Sequence, residues 1–518
     1  MSTSIIGQDE NSEHEPNKNI SFLDSFLESS PCSLLAAVQE LRRSVLQEGE
    51  AIFSKWRSQI HREAFLKSSL NLAYYLALRH HDLRWLQSAL MPWGLSSLGR
   101  IESRVLPNLD AVISTLSAIC QTPQASLPQR PTAEDFYEGD RLLQSQTEAL
   151  FGKSLFQRRV RIMVTLPTEA ASQADLVREL IKRGTDCFRI NCAHDNPDRW
   201  EAMITNVRQA EIETGYNCKI LMDLGGPKPR LGMALSPEPK QRRIYRDDRL
   251  LITRDLPTSN GSPYFQAQCS LPEVLDQLQV GASVWIDDGH IGAQVESMLP
   301  EGVLLCITHA DLKGSKLRLD KGLNFPNTEL KLSPLTDKDL QDLKFVATHA
   351  DIVGYSFVQN PQDIELLQRE FQLLLPKNKQ IPAIIAKIET PQAVRNLPEL
   401  IVQAAGKQPF GIMIARGDLA VEVGYQRLAE IQEEILWLCE AAHIPVIWAT
   451  QVLENLVKKG IPSRAEMTDA AMGERAECVM LNKGPFILEA VTILDDVLSR
   501  MQAHQIKKSP QLRALHSW

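Results

Sequence analysis

The sequence predicts an α/β protein built on a (β/α)8 barrel, with a small all-β insert and an all-α segment ahead of it. Three observations carry that prediction. After Arg158, short apolar runs alternate with amphipathic stretches, the strand–helix rhythm of a parallel sheet. Eight such runs can be counted, interrupted once, after the third, by the β-rich residues 230–320. With that insert set aside, residues 158–503 keep about 255 positions, close to the roughly 250 of this barrel.

Bulk properties narrow the function classes. At 518 residues the chain has room for about three domains. Its 43% hydrophobic and 23% charged content is ordinary for a soluble globular protein. A net charge of −8 argues against nucleic acid as a partner, since phosphate backbones demand clustered Lys and Arg. No apolar run is long enough to cross a bilayer, so no membrane is expected. The acidic, polar start (Met1 to Asn19) is unlike a secretory signal or a basic transit peptide, and the expected location is cytoplasmic. The nine cysteines contain no CxxC and read as buried, reduced thiols.

In chain order, residues 1–30 are polar and read as a disordered tail. Residues 31–157 read as an all-α domain of unknown role. Leu34, Val38, Leu41 and Val45 mark one helical face. A second helix runs from Leu72 to Leu90 and stops at Pro92-Trp93-Gly94, a third covers 101–120, and 133–151 forms a fourth beyond a Pro-rich linker. His61, His80 and His81 lack partners at ligand spacing and read as solvated. The barrel takes 158–229 and 321–503, with Ser172 expected to cap its first helix and Gly184 to close it. In the insert, Asp287-Asp288-Gly289 marks a hairpin turn; an insert on the loop face of a barrel suits a lid. Residues 504–518 read as a C-terminal tail.

Two of the apolar runs carry charge. Ile384-Ile385-Ala386-Lys387-Ile388-Glu389-Thr390 puts a cation and a carboxylate two residues apart, hence on one side of a strand. Met413-Ile414-Ala415-Arg416-Gly417-Asp418-Leu419 adds a second carboxylate beside a glycine that admits a ligand to the backbone. At strand ends on a barrel mouth, such a set can hold a divalent metal and a phosphate together.

These strings resemble the pyruvate kinase family. Arg189 to His194 resembles its RLNFSH segment, and Met222 to Arg230 its LDTKGPEIR. Lys321 to Pro326 resembles KGVNLP. Ala386 to Glu389, Ala415 to Leu419 and Ala449-Thr450-Gln451 resemble SKIE, ARGDLG and ATQ, all in the family's order. The resemblance implies a TIM barrel with an inserted small β-barrel domain, and Mg²⁺-dependent phosphoryl transfer from phosphoenolpyruvate to ADP. It further implies that Glu389 and Asp418 hold Mg²⁺, that Lys387 and Arg189 act on the transferring phosphoryl group, and that Gly417 and Asp418 receive the substrate carboxylate. Thr450 is then expected near the carbon that is protonated, with Asn191, His194, Arg230 and Lys321 on the nucleotide side.

The departures are as informative. The family's K⁺ site takes oxygens from Asn, Ser, Asp and Thr; Asn191 and Asp223 remain, but Ala193 and Leu224 stand at the other two positions. Lys228 occupies the glutamate position of GPE, so its ammonium is expected to replace K⁺. Thr165-Leu166-Pro167 lacks the glycine of TIGP, Gly225 lacks the lysine of TKGP, and Gln359 replaces an arginine or other polar residue in the family's SF-x-R segment. Leu481-Asn482-Lys483-Gly484 replaces the longer LSGETAKG. The family's C-terminal regulatory domain finds no counterpart in the sequence, so a homo-oligomer, if formed, is expected to use other contacts. An active kinase, a catalytically impaired binding protein and a related carboxylyase or aldolase on the same barrel all stay open, the last disfavoured by the insert.

Overall fold

The computed structural model describes residues 30–123, 127–154, 156–237, 243–258, 262–376 and 378–514. Residues 1–29, and with them nearly all of the expected disordered tail, lie outside that set.

The first three apolar runs form β1 (Arg161–Thr165), β2 (Cys187–Asn191) and β3 (Lys219–Asp223). The insert follows with β4 (Leu231–Leu235), β5 (Arg249–Thr253), β6 (Phe265–Cys269), β7 (Ser283–Ile286), β8 (Ile291–Leu299), β9 (Gly302–His309) and the short β10 (Leu323–Asn324). The barrel resumes with β11 (Ile352–Tyr355), β12 (Ala383–Ile388), β13 (Phe410–Ala415), β14 (Val446–Ala449) and β15 (Cys478–Leu481).

Eight parallel strands close in the order β1-β15-β14-β13-β12-β11-β3-β2. Both faces of each strand are covered, by helices outside and by packed side chains inside. Continuous apolar runs result, not alternation. The insert is one seven-stranded sheet, ordered β10-β7-β8-β9-β5-β6-β4, around its own core of residues such as Leu250, Ile286, Val303 and Phe325. Its strands β6 and β7 do alternate, and the turn at Asp287-Asp288-Gly289 is present, with both aspartates at positive φ.

The helical segment divides in a way the sequence did not predict. Among the described residues, those from 30 to Ala51 and within 73–137 form one compact unit, while those of 52–72 and from Glu138 to 514 group with the barrel. The reason is burial at the barrel's foot. Leu150 and Phe151, at the end of helix Glu138–Phe151, join a core with Met163, Leu221, Ile385 and Met413 inside the barrel. Arg62 donates to the carbonyls of Ala405 and Gln408, and Ser68 bonds His443 at 2.9 Å.

Further expectations need correcting. Ser172 does not cap: a 3-10 turn at Thr168–Ala171 captures it, its hydroxyl donating to the Glu169 carbonyl, and the helix opens at Ala174 behind an uncapped Gln173. Gly184, at φ +115°, closes that helix as expected. The runs expected as single helices over 72–90 and 133–151 each break once, near 80–83 and at Tyr137. The cysteines are not all reduced: Cys32 and Cys120 are joined as a disulfide, 88 residues apart, and the other seven are free. His80 and His81 bond Glu48 and Ser44. The C-terminal segment is docked at Lys507, in an ion pair with Glu477, and at Lys508, over the Trp437 ring, while residues 511–514 are exposed. No helix among the described residues is long and apolar enough to cross a membrane.

Candidate active site

Parallel pairing fixes which side chains meet at the mouth. β2 and β3 pair with Asn191 beside Asp223, and β3 and β11 pair with Asp223 beside Gly354. A Cβ on Gly354 would lie 2.6 Å from Asp223 Oδ1, so only glycine leaves room for that carboxylate. β12 carries Lys387 and brings Glu389 to its rim, and their charged ends lie 3.1 Å apart. The two-residue spacing therefore does what strand geometry requires of it.

Asp418 is placed differently from the expectation. It rides the first turn of helix Arg416–Val423, which begins directly after β13, and not the strand end itself. A carboxylate there is stabilised by the helix dipole. The next loop holds Thr450 at φ +63°, an unusual state for a β-branched residue. Contacts on both sides hold it there: Gly417 N–H donates to Thr450 Oγ1 at 2.9 Å, and Arg416 donates to the Thr450 carbonyl at 2.8 Å. Arg416 is in turn anchored by Asp469 and lies over the Trp448 ring.

A cavity of about 180 Å³ collects Arg189, Asn191, Asp223, Lys228, Arg230, Lys387, Glu389, Asp418 and Thr450. Of the expected site residues, His194, Lys321 and Gly417 stand outside its lining. Lys321 is paired with Asp287 of the insert at 2.7 Å, and Arg230 reaches Asp320. Lys228 shares the cavity with Asn191 and Asp223, the remainder of the expected K⁺ set, but its ammonium is paired with Asp418, 2.6 Å from its Oδ1. Asp223 Oδ2 accepts from Arg189 at 2.5 and 2.8 Å and lies 3.7 Å from Lys387, while its Oδ1 is buried without a partner.

The electrostatics follow from this crowding. Burial works against the charge of Asp223, but Lys387 and Arg189 hold its carboxyl below the usual range. Asp418 is likewise held low against burial, by Lys228 first and Lys387 after it. Burial pushes Glu389 up; Lys387 offsets part of this and the charge of Asp418 adds to it. Lys387 stays protonated, its pKa raised by Asp223 and Glu389 although burial opposes. His194 is driven down by burial and by Lys483 and Arg230 nearby.

Several neighbours escaped the sequence reading. Ser356 accepts from Lys387 Nζ at 2.8 Å, and Phe357 N–H, at φ +55°, donates to Glu389 Oε2 at 2.7 Å. Asn324 bridges Asp418 and Glu422, whose carboxyl burial pushes up to about 7. The signals they carried were their places in family-like strings: Arg416 in ARGDL, Asn324 in KGLNFP, and Ser356 and Phe357 in the SF-x-R segment.

The chain matches the family model described as pyruvate kinase, barrel domain, over residues 157–491. It is 32% identical over 359 residues to pyruvate kinase 2 of Synechocystis, covering 68% of this chain and 58% of that one. It is 30% identical to pyruvate kinase PKLR of Rattus norvegicus, covering 67% of this chain and 59% of that one. With pyruvate kinase of Agrobacterium vitis it shares 30%, over 67% and 70%. The match thus spans less than two thirds of the first two relatives. Barrel, insert and mouth residues agree with that match, and the chain belongs to the pyruvate kinase family.

Proposed function

We propose that the chain catalyses Mg²⁺-dependent phosphoryl transfer from phosphoenolpyruvate to ADP, giving pyruvate and ATP, without a requirement for K⁺. The observation that carries this reading is the convergence of Arg189, Lys387, Glu389, Asp418 and Thr450 on one cavity, from β2, β12 and the segments that follow β13 and β14. Glu389 and Asp418 fit a divalent ion, because Mg²⁺ asks a protein for only one or two carboxylates and takes water and phosphate oxygens for the rest. When bound, the ion supplies charge neutralisation for the phosphoryl oxygens.

In this reading Arg189 and Lys387 hold the phosphate as fixed cations, while the bond from phosphorus to the enol oxygen breaks and one to the terminal oxygen of ADP forms. The enolate left behind gains a proton at its methylene carbon, on the Thr450 side. Backbone N–H groups at Gly417 and Asp418 receive the substrate carboxylate; the first is now engaged by Thr450 Oγ1. Asn191, His194, Arg230 and Lys321 face the nucleotide. Lys228 supports independence from K⁺: it brings a compact monovalent cation to Asp418, while Ala193 and Leu224 offer no side-chain oxygen. Self-association and a cytoplasmic location belong to the same reading, although the Cys32–Cys120 disulfide weighs against a reducing compartment.

One observation favours a second reading, a binding protein of impaired catalysis: Lys228 already occupies an oxygen of Asp418. The test is pyruvate release from phosphoenolpyruvate and ADP with Mg²⁺, with K⁺ and with K⁺ replaced by a bulky organic cation. Equal turnover supports the K⁺-independent kinase. Turnover only with K⁺ keeps the kinase and removes the role of Lys228. No turnover in either, from folded protein that binds phosphoenolpyruvate, selects the second reading.

A further inference from the structure

The outgoing and return crossings between barrel and insert are zipped together at their roots. Arg230 bridges Gly322, and Leu323 N–H donates to the Pro229 carbonyl at 2.8 Å. Lys228 lies in that seam. A Cβ on Gly322 would come within 2.6 Å of Lys228 Cε and 3.2 Å of its Nζ, so the bare glycine backbone leaves the path for the lysine stem. From there the ammonium reaches Asp418, its one side-chain partner among the described residues, and both groups are mostly buried. The same oxygen, Oδ1, also accepts from Asn324 Nδ2 at 3.3 Å.

The two carboxylates read as ligands of the divalent ion are thus both met by ammonium groups, but not in the same way. Lys387 donates to Ser356 at 2.8 Å, meets Glu389 at 3.1 Å and lies 3.7 Å from Asp223, so parting from Glu389 would not set it loose. Lys228 hangs on its contact with Asp418 alone, and it belongs to the root of the insert between β3 and β4, not to a barrel strand. A divalent ion asks for the same carboxylate. An ion taken up through Oδ2 would still face the ammonium across one carboxylate, and like charges that close in a buried setting repel strongly.

We propose that Lys228 is a built-in competitor of the divalent ion: its ammonium holds Asp418 while the ion is absent and gives the carboxylate up when the ion binds. Displaced, the ammonium stays in the cavity it shares with Asn191 and Asp223. One side chain then serves in turn as the counter-ion of an ion ligand and as the monovalent cation beside the bound ion. Because its stem lies between the two crossings, the exchange also acts on the root of the insert. The inference rests on the reading of Glu389 and Asp418 as the ion's carboxylates, and its test keeps the two apart.

The test uses the full chain and Mn²⁺ alone as the probe, without substrate, and reads free Mn²⁺ by electron paramagnetic resonance. Lys228→Met is expected to bind Mn²⁺ at least about tenfold more tightly than the parent, an ordinary coupling between two ligands of one group. Gly322→Ala keeps the charge but crowds the stem off its path, and is expected to shift affinity the same way by a smaller factor. Lys483→Met removes an exposed cation just beyond β15, without an ion pair among the described residues, and is expected to stay within about twofold of the parent. Asp418→Asn is expected to abolish binding, alone and together with Lys228→Met. Equal or weaker binding by folded Lys228→Met, with Asp418→Asn still abolishing it, overturns the proposal and leaves the ion site standing. Unchanged affinity in Gly322→Ala overturns it as well, and so does an equal gain from Lys483→Met, which would make the effect one of net charge. Binding by neither the parent nor Lys228→Met overturns the ion site itself, and the proposal with it.

Discussion

At the foot of the barrel, Arg158 is wholly buried and spends its guanidinium on the Val160 and Gly184 carbonyls and on Asp186 and Asp495. At the mouth, Lys387 is nearly as enclosed, yet it shares a cavity with Asp223, Glu389 and Asp418. Both ends leave buried polar atoms without partners: Asp186 Oδ1 and Glu474 Oε2 below, Asp223 Oδ1 above. Orphaned atoms therefore do not by themselves separate a brace from a site. What separates them is space. Charges below are locked to backbone carbonyls and to each other, whereas those above line an opening where another molecule can complete the pairing. That matches the division of labour in such barrels, stability at the N-terminal face and chemistry at the C-terminal face.

The comparison breaks most visibly through Lys387→Met. Pyruvate formation is expected to fall by at least about a thousandfold, since a cation on the transferring group is lost. Stability should fall less than for the foot variant, because Arg189 still pairs Asp223 and Glu389 can take up a proton. Steady-state kinetics and urea denaturation on one preparation check both parts.

Arg158→Met is the converse. It strands Asp186 and Asp495, and losing one partner of a buried pair costs about 3–5 kcal/mol. Turnover per folded molecule should be unchanged. A large fall in turnover with the fold intact would show that the foot and the mouth are not separable.

Glu474→Gln sharpens the contrast through pH. Burial, only partly offset by Arg159, pushes the Glu474 carboxyl up to about 7, against an ordinary 4.5. The folded protein thus holds that proton more tightly than the unfolded chain. The stability it contributes is complete below pH 4.5 and is lost as pH rises through 7. Between pH 5 and 8 the parent should lose at most about 3 kcal/mol from this group, and Glu474→Gln should lose less. Parallel pH dependences in chemical denaturation would remove Glu474 as the cause.

Much of this was legible in the chain itself. A strand buried on both faces must be apolar throughout, so the eight runs and their order could be read directly, and a polar residue closing such a run announced the rim. Lys387 and Glu389 share a side because strand side chains alternate. Asp418 was legible as a site residue but not as a helical one, since nothing in Ala415-Arg416-Gly417 marks where strand turns to helix.

What only the tertiary structure decided are the pairings between distant segments. Lys228 and Asp418 are 190 residues apart in sequence, and Cys32 and Cys120 are 88 apart. Leu150 and Phe151 read as the end of an independent helix until the barrel floor took them in. Local sequence determined which residues form strands, which faces are apolar and which ends carry charge, because those depend on periodicities of a few residues. Which charge meets which, and which helix closes which opening, depends on how the closed barrel brings its ends together. No local pattern encodes that.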